Sequence, residues 1–287
     1  MVVHHGRFAW YELMTTDIAA ARTFYAKVVG WNAQDASAPG LPYTQFTAGQ
    51  APVAGLLDLP EGARKMGATP RWMGYVAVDD VAAASAQISR LGGTVYVPPT
   101  DTNIGRIAVV ADPQTATLAL VEGLKPGPRP AAAPEQPGHV GWHELLATDR
   151  DSAFAFYSSL FDWRKANADS TPAPDSYQMF AAGEQAIGGI FTKPATAPVP
   201  FWLLYFNVDD IDAAVAQVTA NGGRILEGPI GLPDGWIARC VDPQDAMFAL
   251  LGHRTRGSTA TDSAIGWSAS WGGISSKGRL VTKRRPL

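Results

Sequence analysis

The chain opens its regular structure with an alternation of apolar and polar residues that changes to a helical spacing. The alternation in residues 8–15, FAWYELMT, predicts a strand with one face formed by Trp10, Glu12 and Met14. Asp17 suits the N-cap of a helix. Beyond it, apolar residues recur at i, i+3, i+4 and i+7, at Ala21, Phe24, Tyr25 and Val28. This pattern predicts a strand followed by an amphipathic helix that covers the opposite, Leu13-bearing face of the strand.

The same pattern returns 132 residues further along the chain. Nine of 22 positions are identical when Trp10–Trp31 is aligned with Trp142–Trp163. The stretch PRWMGYVAVDD, from residue 70, shares six of 11 positions with PFWLLYFNVDD, from residue 200. A GG pair and a DPQ turn follow in the same order in both copies. We interpret the chain as a tandem duplication.

Each copy predicts a strand, a helix and three strands, and then the same scheme again. In the first copy, Asp80 suits the N-cap of the second helix, and Gly92 and Gly93 end it. The resulting boundaries are residues 6–123 for the first domain, 124–137 for a proline-rich linker and 138–252 for the second domain. Residues 253–287 are expected to form a basic, disordered tail.

Composition limits the possible classes of protein. The 287 residues are 46% hydrophobic and 17% charged, which is typical of a globular protein with a buried core. No apolar run approaches the roughly 20 residues that span a bilayer, and no secretory pattern is visible, so we expect a cytoplasmic protein with no membrane partner. A disulfide framework is excluded because Cys240 is the single cysteine.

The charge distribution argues against nucleic acid as a partner. The net charge is −3, but seven of the 23 basic residues and only one of the 26 acidic residues lie from Arg254 onward. The preceding chain therefore has 16 basic and 25 acidic side chains, whereas phosphate binding requires clustered Lys and Arg. We expect a small-molecule ligand, and a monomer or homodimer.

The order of these motifs resembles that of the vicinal oxygen chelate superfamily, which includes glyoxalases, bleomycin-resistance proteins and extradiol dioxygenases. The resemblance is strongest to its two-domain bacterial branch, often labelled "hydroxylase" or 27-kDa antigen-like. It is carried by WxEL, TD, FY and a following W, and then by VDD, GG and DPQ, in both copies. The resemblance implies an α+β fold of two tandem glyoxalase-like domains, in which two βαβββ units per domain curve a mixed sheet into a cup.

The resemblance also implies a metal site, which this sequence does not reproduce. Metal-dependent members hold a divalent ion on the first strand of each unit and on a last strand. Carried over to this chain, those positions fall at Trp10 and Trp142, near Met73 and Leu203, and at Ala119 and Ala249. These side chains lack the oxygen, nitrogen or thiolate donors that such ions require. We therefore predict no metal and no other cofactor.

Two acidic residues are the candidate catalytic groups. Alternation directs Glu12 and Glu144 into the two cups, beside their tryptophans. A carboxylate in an apolar cup could act as a general base or anchor a ligand's amine or hydroxyl. The alternative is a structural glutamate that binds a neighbouring strand or an arginine such as Arg106.

Aromatic residues are the candidate ligand-binding groups. Trp10, Tyr75, Trp142 and Tyr205 could form the floor of a pocket for a planar molecule, or could be ordinary core. Trp236 is expected at the mouth of the second cup, in the place of Arg106. His143 should point away from Glu144, although a metal clip with His139 remains an alternative.

Three functions follow from these residues. The favoured one is a metal-independent protein that sequesters or processes an aromatic or oxygenated metabolite or antibiotic. The second is a metal-dependent glyoxalase-type lyase or dioxygenase whose ligands have moved to Glu12, Glu144 or the His139 and His143 pair. The third is a non-enzymatic interaction protein.

Overall fold

The computed structural model describes most of the chain. The described residues are 5–38, 40, 42–125, 135–166, 177–193, 197, 199–232 and 235–254. Most of the expected linker, residues 126–134, and nearly all of the expected tail, residues 255–287, lie outside them. The predictions made for those segments therefore stay predictions.

The first domain has the predicted order of elements, with one short additional helix. Its elements are β1 (Phe8–Thr15), α1 (Ile18–Val28), β2 (Asn32–Asp35), β3 (Thr44–Ala48), β4 (Ala51–Asp58), α2 (Glu61–Lys65), β5 (Arg71–Ala77), α3 (Val81–Arg90), β6 (Thr94–Thr102), β7 (Gly105–Ala111) and β8 (Thr117–Glu122). The sequence analysis did not predict α2, which buries no residue.

The second domain repeats the strand–helix–three-strand scheme twice. Its elements are β9 (Val140–Ala147), α4 (Arg150–Phe161), β10 (Arg164–Lys165), β11 (Tyr177–Ala182), β12 (Gln185–Thr192), β13 (Phe201–Asp210), α5 (Ile211–Ala220), β14 (Arg224–Leu232), β15 (Gly235–Val241) and β16 (Met247–His253). Tandem domains of this composition confirm the predicted α+β class.

Aspartate side chains begin the four long helices. Asp17, Asp80, Asp149 and Asp210 have extended backbones, and each carboxylate accepts a hydrogen bond from the amide three residues later. Such a cap satisfies an amide that the helix leaves unpaired and contributes about 1 kcal/mol. The repeated Asp therefore fixes where each helix leaves its strand.

Each domain forms one eight-stranded mixed sheet. The strand orders are β2-β3-β4-β1-β5-β8-β7-β6 and β10-β11-β12-β9-β13-β16-β15-β14. The strands that begin the two units of a domain, β1 with β5 and β9 with β13, pair antiparallel at the centre of each sheet. One face of each sheet forms the cup of its own domain, and the other face is covered by helices.

The cores beneath the helices combine residues of both domains. One core joins the first unit of domain 1, with Leu13 and Phe24, to the second unit of domain 2, with Phe206 and Phe248. The other joins the second unit of domain 1, with Val76, to the first unit of domain 2, with Phe156. We call these the crossed cores. The apolar face that the sequence predicted for α1 is buried, partly by the other domain.

Reciprocal hydrogen bonds connect the domains around the crossed cores. Tyr25 donates to Asp242 Oδ2 at 3.2 Å, and Tyr157 donates to Asp112 Oδ2 at 3.0 Å. Trp31 Nε1 donates to the Gly138 carbonyl at 2.7 Å, and Trp163 Nε1 to the Gly6 carbonyl at 2.6 Å. The repeated Tyr of FY, the Trp that follows the helix and the Asp of DPQ therefore form contacts between the two copies.

Among the described residues, no helix combines the length and the apolar character needed to cross a bilayer; the longest, α4, has 12 residues.

Candidate ligand-binding cups

Aromatic rings occupy the floor of each cup. Trp10 of β1 pairs across the sheet with Tyr75 of β5, which pairs with Ala119 of β8. The equivalent row in domain 2 is Trp142, Tyr205 and Ala249. All six side chains are buried, and each set belongs to an apolar cluster made of its own domain alone. The structure therefore brings the predicted cup residues together in two matching floors.

In the first cup, tyrosines bind both oxygens of Glu12. Tyr43 donates to Oε1 at 2.6 Å, and Tyr75 donates to Oε2. Trp10 Nε1 donates to the Tyr43 oxygen at 3.0 Å. Burial raises the pKa of Glu12, and these phenol donors oppose that rise. Glu12 is the centre of a closed network, and its proposed catalytic role stays a prediction.

A glycine opposite each glutamate makes room for a tyrosine that the sequence analysis missed. Glu12 pairs with Gly55, where an added Cβ would lie 1.9 Å from the Tyr43 hydroxyl oxygen. Glu144 pairs with Gly189, where a Cβ would lie 2.1 Å from the Tyr177 hydroxyl oxygen. The missing side chain lets each tyrosine lie across the strand beneath it. The repeated Gly in the fourth strand of each domain was the available signal.

In the second cup, an arginine binds the glutamate beside Tyr205. Tyr205 donates to Glu144 Oε2 at 2.7 Å, and Arg239 Nη2 donates to the same oxygen at 3.0 Å. Arg239 Nη1 also forms an ion pair with Glu227. Burial raises the pKa of Glu144, and the positive charge of Arg239 opposes the rise. Glu144 thus has a cationic partner, whereas the described partners of Glu12 are tyrosines.

The other oxygen of Glu144 is buried and unsatisfied. Among the described residues, Oε1 has no hydrogen-bond partner. Tyr177, the counterpart of Tyr43, accepts a hydrogen bond from Trp142 Nε1 at 3.0 Å. Burial raises the pKa of Tyr177, and the nearby charge of Glu144 raises it further. A buried carboxylate oxygen without a donor is costly, so this atom is a candidate ligand acceptor.

Arg239, like the two tyrosines, is a residue of the site that the sequence pattern did not reveal. The alternative reading of the glutamates named Arg106 as a partner, but Arg106 lies 3.6 Å from Asp101 and is partly exposed. Aligned on the DPQ turns, Arg239 corresponds to Val109. The arginine that binds a glutamate therefore lies on β15, the strand equivalent to the β7 of Arg106, but three residues further along it.

Trp236 lies on the opposite face of β15 from the second cup. It packs against a crossed core, and the Arg254 guanidinium lies 3.5 Å from the centre of its ring. The neighbouring Ile237 faces the cup instead. This placement corrects the expectation that Trp236 lines the cup mouth, because Ile237 and Arg239 lie on the cup face of β15 and Trp236 lies on the other face.

His143 lies between the domains, on the face opposite Glu144 as predicted. Its Nε2 is 2.7 Å from the Tyr11 hydroxyl, and its Nδ1 is 2.6 Å from the Ile187 carbonyl. Since a carbonyl only accepts, Nδ1 carries the proton and Nε2 accepts from Tyr11. Phe8 stacks on the imidazole at 3.9 Å. With both nitrogens engaged, His143 cannot form the metal clip with His139.

This fold, with an aromatic and acidic floor in each duplicated cup, defines a two-domain protein of the vicinal oxygen chelate class. The sequence matches the family described as "Glyoxalase/Bleomycin resistance protein/Dioxygenase superfamily" over residues 7–120 and 136–248. The chain therefore belongs to this superfamily, with one family domain in each half. The family suggested by the sequence motifs is confirmed.

Curated relatives have the same two-domain length. CFP32 of Mycobacterium tuberculosis, whose name assigns it provisionally to the glyoxylases, is 33% identical over 246 residues, which cover 84% of this chain and 93% of CFP32. The anthracycline biosynthesis protein DauV of Streptomyces sp. strain C5 is 31% identical over 273 residues, covering 90% of this chain and 98% of DauV.

Solved structures of low sequence identity share the fold. The 2,3-dioxygenase LapB from Pseudomonas sp. KL28 has a TM-score of 0.60 and 12% identity, over 88% of this chain and 94% of LapB. The Mn(II)-bound glyoxalase from Novosphingobium aromaticivorans has a TM-score of 0.58 and 16% identity, over 98% and 99% of the two chains.

The row of residues across the floor of each cup does not fit a divalent ion such as the Mn(II) of the Novosphingobium glyoxalase. The paired row across the first cup presents an indole, a phenol and a methyl group at Trp10, Tyr75 and Ala119, and the second cup repeats it. Met73, expected near a ligand position, pairs with Glu12 and offers only a thioether. The described part of the chain contains no group of three His, Cys, Asp or Glu residues suited to a metal.

Proposed function

We propose that the protein binds a small aromatic, oxygenated molecule in a cup and recognises it without a metal ion. The observation that supports this function is the floor itself, where buried rings surround a carboxylate. Rings provide flat apolar contact, and the carboxylate gives one polar anchor, which is the usual composition of a small-molecule pocket.

The names of two relatives support an aromatic ligand. DauV and DnrV, each 31% identical to this chain, are anthracycline biosynthesis proteins. An anthracycline is a planar, polycyclic, oxygenated molecule, and the Trp and Tyr floors suit such a shape. We infer a ligand of this chemical class and leave open whether it is sequestered or processed.

The proposal is tested by measuring metal content and ligand-induced stabilisation together. Protein purified without a His tag is assayed for Fe, Mn, Ni and Zn, and its thermal unfolding is followed with hydroxylated anthraquinones, with and without EDTA. We expect well under one metal ion per chain and a stabilisation that EDTA leaves unchanged. A ligand at 100 times its Kd should add about 2.7 kcal/mol.

Two outcomes contradict this function. A stoichiometric metal whose removal abolishes ligand binding would favour the metal-dependent lyase or dioxygenase. If no aromatic compound stabilises the protein while a protein partner does, the interaction-protein function is favoured instead.

A further inference from the structure

We propose that the second cup is the recognition site, and that it selects a neutral aromatic molecule whose hydroxyl group donates a hydrogen bond to Glu144 Oε1. This inference rests on the proposed function, which does not itself distinguish the two cups. It assigns the site to one domain and states the chemical group that the ligand must carry.

The two buried carboxylates differ in how many of their oxygens accept a hydrogen bond. Glu12 accepts a phenol hydrogen bond on each oxygen, so its acceptors are used within the protein. Glu144 receives its donors on Oε2, from Tyr205 and Arg239, whereas Oε1 has no partner among the described residues. A hydroxyl donor from a ligand would satisfy this buried oxygen, which makes the second cup incomplete without a ligand.

The charge around Glu144 also argues for a neutral ligand. Arg239 contributes one positive charge, while Glu144 and Glu227 contribute two negative charges at hydrogen-bonding distance from it. These three groups together carry a net negative charge, so an anionic ligand group would add like-charge repulsion in a buried setting. A neutral hydroxyl is therefore favoured over a carboxylate or phosphate.

The exposure of the side chains in the second cup increases from Glu144 to Arg239 and Glu227. Glu144 is fully buried, Arg239 has 11% of its side chain exposed, and Glu227 has 21%. Phe191 is also partly exposed, with its ring 6.4 Å from that of Tyr177 and 5.8 Å from the Arg239 guanidinium. A planar ring can lie against Phe191 while its hydroxyl reaches inward to Glu144.

The first cup lacks the same features at equivalent positions. Val109 stands where the second domain has Arg239, and Leu57 stands where it has Phe191. The first cup therefore has neither the charged partner of the glutamate nor the ring on the rim. The duplicated copy serves as a matched control within the same molecule.

The experiment measures binding of four naphthalenes to the full chain by titration calorimetry. The probes are 1-naphthol, 1-methoxynaphthalene, naphthalene and 1-naphthoate, which share a ring and differ in the donor and the charge. We expect 1-naphthol to bind with a stoichiometry of one per chain. The methoxy compound and naphthalene should bind at least tenfold more weakly, and 1-naphthoate more weakly still.

Matched variants locate the site. Glu144→Gln should weaken 1-naphthol binding at least tenfold, because the amide is a weaker acceptor, whereas Glu12→Gln should change it less than twofold. Phe191→Ala should weaken binding about tenfold and Leu57→Ala less than twofold. If Glu144→Gln does not fold, Phe191→Ala and Leu57→Ala still locate the site. Both residues are partly exposed, so their substitution should leave the fold intact.

The outcomes separate this inference from the proposed function. Equal binding of 1-naphthol and 1-methoxynaphthalene would overturn the inference while leaving aromatic binding intact. A larger effect of Leu57→Ala than of Phe191→Ala, or two ligands per chain, would also overturn it. Failure of all four naphthalenes and of the hydroxylated anthraquinones to bind would overturn both.

Discussion

His143 shows how one residue's surroundings determine its role. It follows a cup tryptophan and precedes a cup glutamate, yet alternation directs it into the interface between domains. There it is enclosed by Phe8, Tyr11 and the Ile187 carbonyl. Burial lowers the pKa of His143 to about 4, so the imidazole is neutral in the folded protein at physiological pH.

We predict that protonation of His143 destabilises the protein in mild acid. A depressed folded-state pKa means that the stabilisation is fully present above the unfolded value of 6.5 and is lost as the pH falls to about 4. The loss should be on the order of 3 kcal/mol. The free energy of unfolding, measured by urea titration between pH 7 and pH 4, should fall less steeply in His143→Gln.

His253→Gln is the control for this measurement, because His253 is exposed on the last strand. It should follow the wild-type pH dependence. If His143→Gln and the wild type lose the same free energy over this range, the buried imidazole does not determine the acid sensitivity.

The sequence could predict part of the site at the residue scale. Alternation along one strand was enough to direct Trp10, Glu12, Trp142 and Glu144 into the cups, because side-chain direction is a local property. Tyr43 and Arg239 were missed because they reach their glutamates across 31 and 95 residues of chain. Such contacts depend on strand register, which hydrophobic pattern alone does not define.

At the scale of elements, the repeated motifs are explained by contacts between the copies. The tyrosine of the FY pair on α1 and α4 reaches the aspartate of the DPQ turn in the other domain. The same aspartates also cap their own turns, since Asp112 Oδ1 accepts from the amides of Gln114 and Ala116. One carboxylate thus joins a local turn to a distant helix.

We predict that Tyr25→Phe destabilises the protein by about 1–3 kcal/mol. The substitution leaves a buried oxygen of Asp242 and the Trp72 indole nitrogen, 2.8 Å from the Tyr25 oxygen, without this partner. Tyr157→Phe should have a similar effect, because it loses the equivalent contacts with Asp112 and Trp202. Urea unfolding monitored by circular dichroism measures both.

Tyr96→Phe serves as the control, because Tyr96 is 51% exposed on β6. Its midpoint should match that of the wild type. A midpoint for Tyr25→Phe equal to that of Tyr96→Phe would show that the hydrogen bonds between the domains contribute nothing measurable to stability.

The whole molecule is held together by the crossed cores. Each contains buried apolar side chains from both domains: Phe24 packs with Phe248 in one, and residues of α4 pack with Val76 and Leu120 in the other. Neither domain completes its own helix-covered core. Separation would expose apolar surface at a cost of about 25 cal/mol per Å².

We therefore predict that both domains unfold in one cooperative thermal transition. Differential scanning calorimetry should show a single peak, with a calorimetric enthalpy equal to the van't Hoff enthalpy if unfolding is reversible. Phe24→Leu and Phe180→Leu, one in each crossed core, should each lower the Tm of that same peak. Two peaks, with each variant shifting only one of them, would show that the domains unfold independently.

Sequence pattern predicted the two domains but not how they cover each other. The apolar face of α1 indicates that Phe24 and Tyr25 are buried, and they are. A periodic pattern does not say which element lies against that face, so it could not predict the contact with the other domain. The covering residues, including Phe206 and Phe248, come from the far end of the chain.

Substitutions in the crossed cores and substitutions in the separate cups have different consequences for the two domains. An altered residue in a crossed core disturbs both copies at once, so the halves must evolve there as partners. Among the described residues, each cup floor is a cluster made of one domain, so one copy can acquire a new specificity while its twin continues to support the fold. Val109 and Arg239 occupy equivalent positions in the two copies. A single substitution at this position, from valine to arginine or from arginine to valine, could therefore give the two duplicated cups different ligands.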